Sequence, residues 1–266
     1  MKVFSVGYRC SSAGILKHMG LKHESFPFDW MISRLPIIQD CIQTKFIHFL
    51  NQQHYDKVIT QTIHYSQKQS SNEFICEEHI LYNRYYQDKF NKDELFIPWS
   101  LRIPIDTYAY FLALNHQNIF YEEDYEYFKR SIERFDRMIS SSEQKLYLYI
   151  HPILTSDEYN TMKTDLLREF ISFQLYMSSL NKMTKMYGLF IIIVKSSSGV
   201  DFDRTCNIEN IDTSKELGYS IHVLHTHAEF IDAGKIFMQN NDGLETDTII
   251  KLVHSSIQKF DIYIKS

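Results

Sequence analysis

Glycine, proline and cysteine are all scarce in this sequence. Its 266 residues include 8 Gly and 5 Pro, together about 5% where globular proteins average roughly 12%. This scarcity excludes collagen, glycine-rich linkers and low-complexity arrays. The four cysteines, at positions 10, 41, 76 and 206, form no Cys-x-x-Cys pair and no zinc-like spacing. We therefore expect reduced thiols in a cytoplasmic protein.

A strong net charge and a long apolar run at the N-terminus are also absent. The formal charge is −5, from 28 basic and 33 acidic residues, which gives no electrostatic reason to expect a nucleic-acid partner. Ser5 and Gly7 interrupt the short apolar run at the N-terminus, so the segment predicts neither a signal peptide nor a membrane span. We expect neither nucleic acid nor a membrane as a partner.

Apolar and aromatic residues are abundant. Hydrophobic residues make up 44% of the chain, and it contains 18 Tyr and 19 Phe. A chain of this length is long for one hydrophobic core and short for two. We therefore predict a single α/β domain over residues 1–266. Within it, residues 51–120 show polar runs between short aromatic segments and are predicted to form an irregular insertion or lid.

Segments with strand-like and helix-like patterns alternate along the chain. Strands are predicted at 3–6, 146–150, 189–194, 220–224 and 261–264, and helices at 11–19, 35–50, 125–139, 166–177 and 246–259. Residues 189–194 are an uninterrupted apolar run, typical of a strand that is buried on both faces. The alternation predicts a mostly parallel sheet with helices on both faces. Ligands of such sheets collect at the carboxyl ends of the strands.

Cys10 differs from the other cysteines in its position. It follows the first predicted strand and a turn at Gly7, and it lies in the first turn of the next helix, which Ser11 or Ser12 can cap. A helix N-terminus stabilises a thiolate and lowers its pKa, which favours nucleophilic attack at neutral pH. Its N–H groups can also bind an oxyanion. The competing interpretation is a small buried side chain, because free cysteines are among the most buried residues.

The N-terminal segment resembles a known family through three motifs. They are Gly7-Tyr8-Arg9-Cys10-Ser11-Ser12-Ala13, Gly20-Leu21 and Pro27-Phe28-Asp29-Trp30. They are similar to the opening signature of a domain family of unknown function, catalogued as papain-like cysteine peptidases and found in bacteria and large DNA viruses. The likeness is specific over this segment and looser beyond it, at residues 115–118, 127–135 and 146–150.

The resemblance implies a hydrolase of the peptidase or acyl-transfer type that uses a Cys/His pair. Cys10 matches the nucleophile. His116 is the first candidate for the base, because relatives often carry a His-His or His-Asp pair where this chain has His116-Gln117. His151 is the second candidate, since it ends a predicted strand where ligands gather. Asp29 would orient the histidine or cap the following helix.

The same resemblance implies a substrate and an alternative fold. The substrate would be an acyl compound, either a protein or a small molecule, and a viral member would act in the host cytoplasm. The residues expected to contact this substrate are Gly7, Tyr8, Arg9, Ser11, Trp30 and Lys195. No cofactor and no metal is expected. The alternative fold is papain-like α+β, in which a helix packs against an antiparallel, barrel-like sheet.

Two other patterns support different functions. Residues 195–199, which follow the apolar strand, could bind phosphate through N–H groups and Lys195, as in a nucleotide- or nucleotide-sugar-dependent transferase. Residues 222–227 contain His222, His225 and His227, which we interpret as solvent-exposed histidines at the sheet edge rather than metal ligands.

A third alternative is a protein-binding domain without catalytic activity. Its surface would consist of the rings that protein interfaces favour. These rings are Tyr82, Tyr85, Tyr86, Trp99 and Tyr108. They could equally form a small core within the insertion.

Overall fold

The computed structural model describes residues 1–7, 10–66, 73–90, 112–114, 117–195, 207–226 and 244–262. The chain divides into two compact units. The first unit contains Met1–Asp29 and Arg130–Ser266, and the second unit contains Trp30–Lys129. The single domain predicted over residues 1–266 stays a prediction.

The described helices and strands are as follows. The helices are α1 (Cys10–His18), α2 (Leu35–Gln43), α3 (Ile47–Leu50), α4 (Arg84–Phe90), α5 (Glu122–Ser140), α6 (Ser156–Leu180) and α7 (Leu244–Ile262). The strands are β1 (Lys2–Ser5), β2 (Met31–Ser33), β3 (Tyr55–Ser66), β4 (Glu73–Asn83), β5 (Leu112–Leu114), β6 (Lys145–Thr155), β7 (Met186–Lys195), β8 (Asn207–Ser214) and β9 (Tyr219–Thr226). None of the described helices combines the length and the apolar character needed to cross a membrane.

The first unit contains a five-stranded sheet with the order β1-β6-β7-β9-β8. The first four of these strands are parallel, and β8 pairs antiparallel with β9. The predicted α/β class with a mostly parallel sheet is therefore confirmed. This sheet differs from the antiparallel barrel of the papain-like alternative. The strand predicted at 261–264 is wrong at its start, because α7 continues to Ile262.

Helices cover both faces of this sheet, as the sequence predicts. On one face, α1 and α7 pack on aliphatic side chains of β6 and β7, among them Leu148, Ile150 and Ile191. The opposite face is aromatic. There Tyr147 contacts Phe4 of β1 and Phe173 of α6, at ring-centroid distances of 5.9 and 5.7 Å. β7 lies between both layers and is buried from Met186 to Val194.

A buried amide joins α6 to the amino ends of the strands. Gln174 is fully buried. Its Oε1 accepts a hydrogen bond from the Tyr147 hydroxyl at 2.6 Å, and its Nε2 donates to the carbonyls of Met186 and Leu217 at 2.9 and 2.7 Å. Gly188 on β7 leaves the space for this group, because a Cβ there would lie 2.6 Å from Gln174 Oε1. The close packing accounts for glycine inside an otherwise apolar strand.

The second unit contains an antiparallel sheet with the order β2-β5-β4-β3. β3 and β4 pair from Tyr55 with Asn83 to Ser66 with Glu73, so the described part of residues 51–120 is more regular than predicted. The single helix predicted at 35–50 is wrong. It breaks between α2 and α3, where Lys45 and Phe46 take positive φ angles of 50° and 59°.

We predict that Gly188→Ala destabilises the protein. The added methyl would meet Gln174 Oε1, the Tyr147 hydroxyl and the Phe190 ring within 2.7 Å, and overpacking of this kind costs about 1–3 kcal/mol. Urea unfolding followed by circular dichroism measures the change. Gly14→Ala on α1 is the matched control, because its Cβ meets nothing within 4 Å and alanine favours helix by about 0.5–1 kcal/mol. Equal stability of the two variants would contradict the packing described for Gly188.

Candidate active site

Cys10 is the first residue of α1, at the carboxyl end of β1. The first turn of α1 has no acidic side chain, whereas its last turn carries Lys17 and His18. No carboxylate of α1 itself therefore neutralises the positive end of its dipole, and this favours a thiolate at the start of the helix. The side chain of Cys10 and the residues Tyr8 and Arg9 lie outside the described part of the chain. Gly7, just before them, is buried.

Ser12 anchors the first turn of α1 to the sheet. Its side chain is fully buried, and its Oγ accepts a hydrogen bond from the backbone N–H of Ile150 at 3.2 Å. The β1–β6 ladder reaches the Val6 N–H, which donates to the carbonyl of Leu148. The Ile150 N–H lies two residues beyond Leu148 on β6, and the Ser12 hydroxyl binds it where the ladder with β1 has ended. The start of α1 is therefore held against Ile150, in the middle of β6 and just beyond the end of the β1–β6 ladder.

Ser11, which we expect to contact the substrate, follows Cys10 in the same turn. Only 5% of its surface is exposed. Its Oγ is buried and has no hydrogen-bond partner among the residues that the structure describes. Buried hydroxyl groups without a partner are uncommon. Ser11 therefore leaves a polar group available beside the candidate nucleophile.

Asp29 is buried in a polar network with β1 and the loop after α1. Its Oδ1 accepts from the Ser5 hydroxyl at 2.5 Å, and its Oδ2 accepts from the Phe26 N–H at 2.7 Å. Lys22 Nζ lies 2.7 Å from Oδ2, and both side chains are more than nine-tenths buried. Burial raises the pKa of Asp29 above its ordinary value, and the Lys22 ammonium and the two hydrogen bonds oppose this rise.

The network gives Asp29 a structural role, because it joins the loop after α1 to β1. The prediction that it caps the following helix is wrong, because α2 has Arg34 at its N-cap position. Among the described residues its bonds come from Ser5, Phe26 and Lys22, so its orientation of a catalytic histidine stays a prediction. Lys22 is the partner that the sequence did not identify. The spacing of Lys22 and Asp29 follows no motif, because the intervening loop brings them together.

His151 lies on the aromatic face of the sheet. It is fully buried, and its ring centroid lies 6.2 Å from that of Tyr149 and 6.4 Å from that of Phe170 on α6. Its neighbour Ile150 points to the opposite face, where α1 packs. The His151 ring thus points away from the face that α1 covers. His116, the first candidate for the base, lies outside the described residues.

The remaining predicted contact residues, Trp30 and Lys195, belong to different units. Trp30 is half-buried in the second unit. Lys195 ends β7 and is half-buried, and its carbonyl accepts from the Ser156 hydroxyl at 3.2 Å. Residues 196–200 lie outside the described part, so the phosphate loop of the transferase alternative stays a prediction.

The N-terminus of α6 is occupied by its own side chains. Thr155 and Glu158 form a capping box. The Glu158 carboxylate accepts the Thr155 N–H at 2.6 Å. Asp157 adds a second negative charge in the first turn. This helix therefore disfavours a phosphate, whereas α1 carries no acid in its first turn.

The histidines of β9 correct one prediction. His222 is buried rather than solvent-exposed, and its Nε2 lies 2.5 Å from Ser220 Oγ. Burial, together with Lys259, lowers the pKa of His222 to about 4, so the ring is neutral at physiological pH. His225 lies 3.4 Å from Glu209, and His227 is outside the described residues. Within the described ranges, no three His, Cys, Asp or Glu side chains form a group that could hold a metal.

The aromatic residues of the predicted protein-binding surface differ in their burial. Tyr86 is fully buried and accepts a hydrogen bond from the Cys41 thiol at 3.1 Å, so its assignment to a surface is wrong. Tyr85 stacks on His48 at 3.6 Å, and Tyr82 donates to Asp56 at 3.3 Å. These three rings contribute to the packing of the second unit. Trp99 and Tyr108 lie outside the described residues.

The family comparison agrees with the N-terminal motifs. A model of the family described as "Putative papain-like cysteine peptidase" matches residues 1–187. The chain belongs to this family. The match includes Cys10, Asp29, His116 and His151, and it ends near the start of β7. Most of β7 and all of β8, β9 and α7 lie beyond it. Neither a curated protein nor a solved structure matches the chain.

We predict that Lys22→Met destabilises the protein more at pH 8 than at pH 5. The change removes the cation opposite the buried Asp29 carboxylate, so the pKa of Asp29 rises further above its ordinary value. A group whose pKa is raised by folding favours the folded state at low pH, and this benefit is lost as the pH rises through the folded-state pKa. Urea unfolding at pH 8 should show that the free energy of unfolding falls by about 3–5 kcal/mol.

Lys2→Met is the matched control. Lys2 lies 3.7 Å from Glu143 in an exposed ion pair, and such pairs contribute about 0–1 kcal/mol. Its effect should therefore be small and similar at both pH values. A loss in Lys22→Met that does not depend on pH would show that the variant disturbs packing and not the charge of Asp29.

Proposed function

We propose that this protein is a cysteine-nucleophile hydrolase of the peptidase or acyl-transfer type, with Cys10 as the nucleophile. One observation carries the proposal: Cys10 begins α1 at the carboxyl end of a parallel strand, and the first turn of that helix has no acidic side chain. Ligands of parallel sheets bind at this edge. Membership of the family described as cysteine peptidases supports the same assignment.

The reaction proceeds through a thioester. The Cys10 sulfur attacks the carbonyl carbon of the substrate, a C–S bond forms, and the carbonyl electron pair moves to the oxygen. The N–H groups at the start of α1 stabilise this oxyanion. Collapse of the intermediate expels the leaving group, which takes the proton that the base received from the thiol. Water then attacks the thioester, and Cys10 is released with the acid product.

We assign the role of base to His116 rather than His151. His151 is fully buried, close to Tyr149 and Phe170, on the face of the sheet opposite to the one that α1 covers. His116 follows β5 in the chain and lies within the part that matches the family.

The substrate class and the compartment belong to the same proposal. The substrate is an acyl compound, either a protein or a small molecule, and the enzyme needs no cofactor for this reaction. Cys41 is a free, buried thiol, in keeping with a reducing compartment. We place the protein in the cytoplasm, which would be the host cytoplasm for a viral protein.

We predict that iodoacetamide alkylates Cys10 selectively at pH 7. A helix N-terminus lowers the pKa of a thiol and so raises the fraction of thiolate at this pH above that of an ordinary cysteine. Mass spectrometry of peptides from the labelled protein measures the rate at each cysteine as a function of pH. Cys41 is the internal control, because burial raises the pKa of its thiol and it is fully buried. Labelling of Cys10 no faster than that of the unfolded chain would refute the nucleophile.

We predict that His116→Ala and His151→Ala have different effects on Cys10. If His116 pairs with Cys10, its removal should lower the alkylation rate at pH 7 about tenfold and shift the midpoint toward the ordinary thiol pKa. His151→Ala should lower stability, because it leaves a cavity among Tyr149 and Phe170, with little change in the pH profile. If His151→Ala slows the alkylation of Cys10 and shifts its pH profile while His116→Ala does not, the base is His151.

A further inference from the structure

A cleft lies at the amino ends of β7 and β9, at the opposite end of the sheet from the start of α1. It has a volume of about 260 Å³. The loop between α6 and β7 forms one wall, and the turn between β8 and β9, at residues 215–218, forms the other. These residues all belong to the first unit. The wall at residues 215–218 lies beyond the part that matches the family, whereas the wall formed by the α6–β7 loop lies within it.

The charge of the cleft is opposite to that of the chain. Three exposed lysines line it, Lys182, Lys185 and Lys215, against one acidic residue, Glu216. The whole chain has a formal charge of −5. A concave surface with a local excess of positive charge attracts anionic groups.

A hydroxyl group adds a hydrogen-bond donor to the lysines. Thr184 Oγ1 accepts from Lys145 Nζ at 3.2 Å, and Lys145 is fully buried. Among the described bonds, the Thr184 hydroxyl acts as an acceptor toward the interior, which leaves its hydrogen to donate into the cleft.

Apolar side chains border the charged ones. Met183 is 90% exposed and Leu217 is 38% exposed, and both line the cleft. Exposed methionine is frequent on surfaces that bind peptides, because its side chain is flexible and polarizable. The cleft therefore offers contacts to an aliphatic side chain as well as to anions.

The apolar side chains favour a peptide over a compact phosphate, because an inorganic phosphate has no group that could contact Met183 and Leu217. Three N–H groups that could hold a phosphate are also bonded already. Met183 N donates to Asn181 Oδ1, and the N–H groups of Leu217 and Gly218 donate to Ser214, whereas phosphate sites generally use free N–H groups.

We propose that this cleft binds an acidic polypeptide segment of a partner protein. Carboxylates of the segment pair with Lys182, Lys185 and Lys215, and an aliphatic side chain between them contacts Met183 and Leu217. The proposal does not depend on the activity assigned to Cys10. It adds a protein-binding surface at the end of the sheet that is remote from α1.

Fluorescence anisotropy with a labelled peptide tests the proposal. The peptide has about ten residues, with glutamates on both sides of a central leucine, and we expect a Kd on the order of 10–100 µM at low salt, weaker at higher salt. Lys182→Glu/Lys185→Glu should weaken binding at least tenfold. Lys163→Glu/Lys251→Glu is the matched control. It makes the same charge change on α6 and α7 outside the cleft and should leave the Kd unchanged.

The peptide itself provides the second comparison. Replacing the central leucine with serine should weaken binding several-fold, and so should Met183→Ser in the protein. Thermal melting confirms that each variant is folded. Equal weakening by the control pair would reduce the effect to non-specific charge and overturn the site. Absence of saturable binding would overturn it too, and so would displacement of the peptide by millimolar inorganic phosphate, which would indicate a phosphate site.

Discussion

Burial of β7 on both faces is the constraint on which the first unit depends. From Met186 to Val194 every residue of this strand is buried, so each face of the sheet needs its own layer of helices. α1 and α7 supply the aliphatic layer, and α6 supplies the aromatic one. Gly188 and Gln174 allow α6 to approach β7 closely. α6 also supplies the crossover connection that the parallel pair of β6 and β7 requires.

The parallel sheet in turn decides where the reactive groups lie. The carboxyl end of β1 lies beside the middle of β6, and the Ser12–Ile150 hydrogen bond holds the first turn of α1 there. Asp29 and Lys22 secure the loop that follows α1 against β1. This buried ion pair is costly to desolvate, and its hydrogen bonds to Ser5 and Phe26 offset the cost. The two ends of the sheet thus differ in character, with Cys10 at one and a lysine-lined cleft at the other.

The N-termini of α1 and α6 differ in the charge of their first turns, and this difference decides which of them favours an anion. α1 and α6 both begin near the carboxyl ends of strands, yet Asp157 and Glu158 occupy the first turn of α6, while that of α1 holds no acid. An anion or a thiolate is therefore favoured at α1 and disfavoured at α6.

Periodicity and motif in the sequence by themselves determined the α/β class, the buried strand at 189–194, the position of Cys10 and the family, because these depend on local patterns. Only the tertiary structure decided the Lys22–Asp29 pair, the burial of His222 and Tyr86, and the face to which His151 points. The break between α2 and α3 belongs to this second group, since Lys45 and Phe46 are not residues that predict a positive φ. Contacts between distant residues depend on the register of strands and the path of loops, and no short segment encodes them.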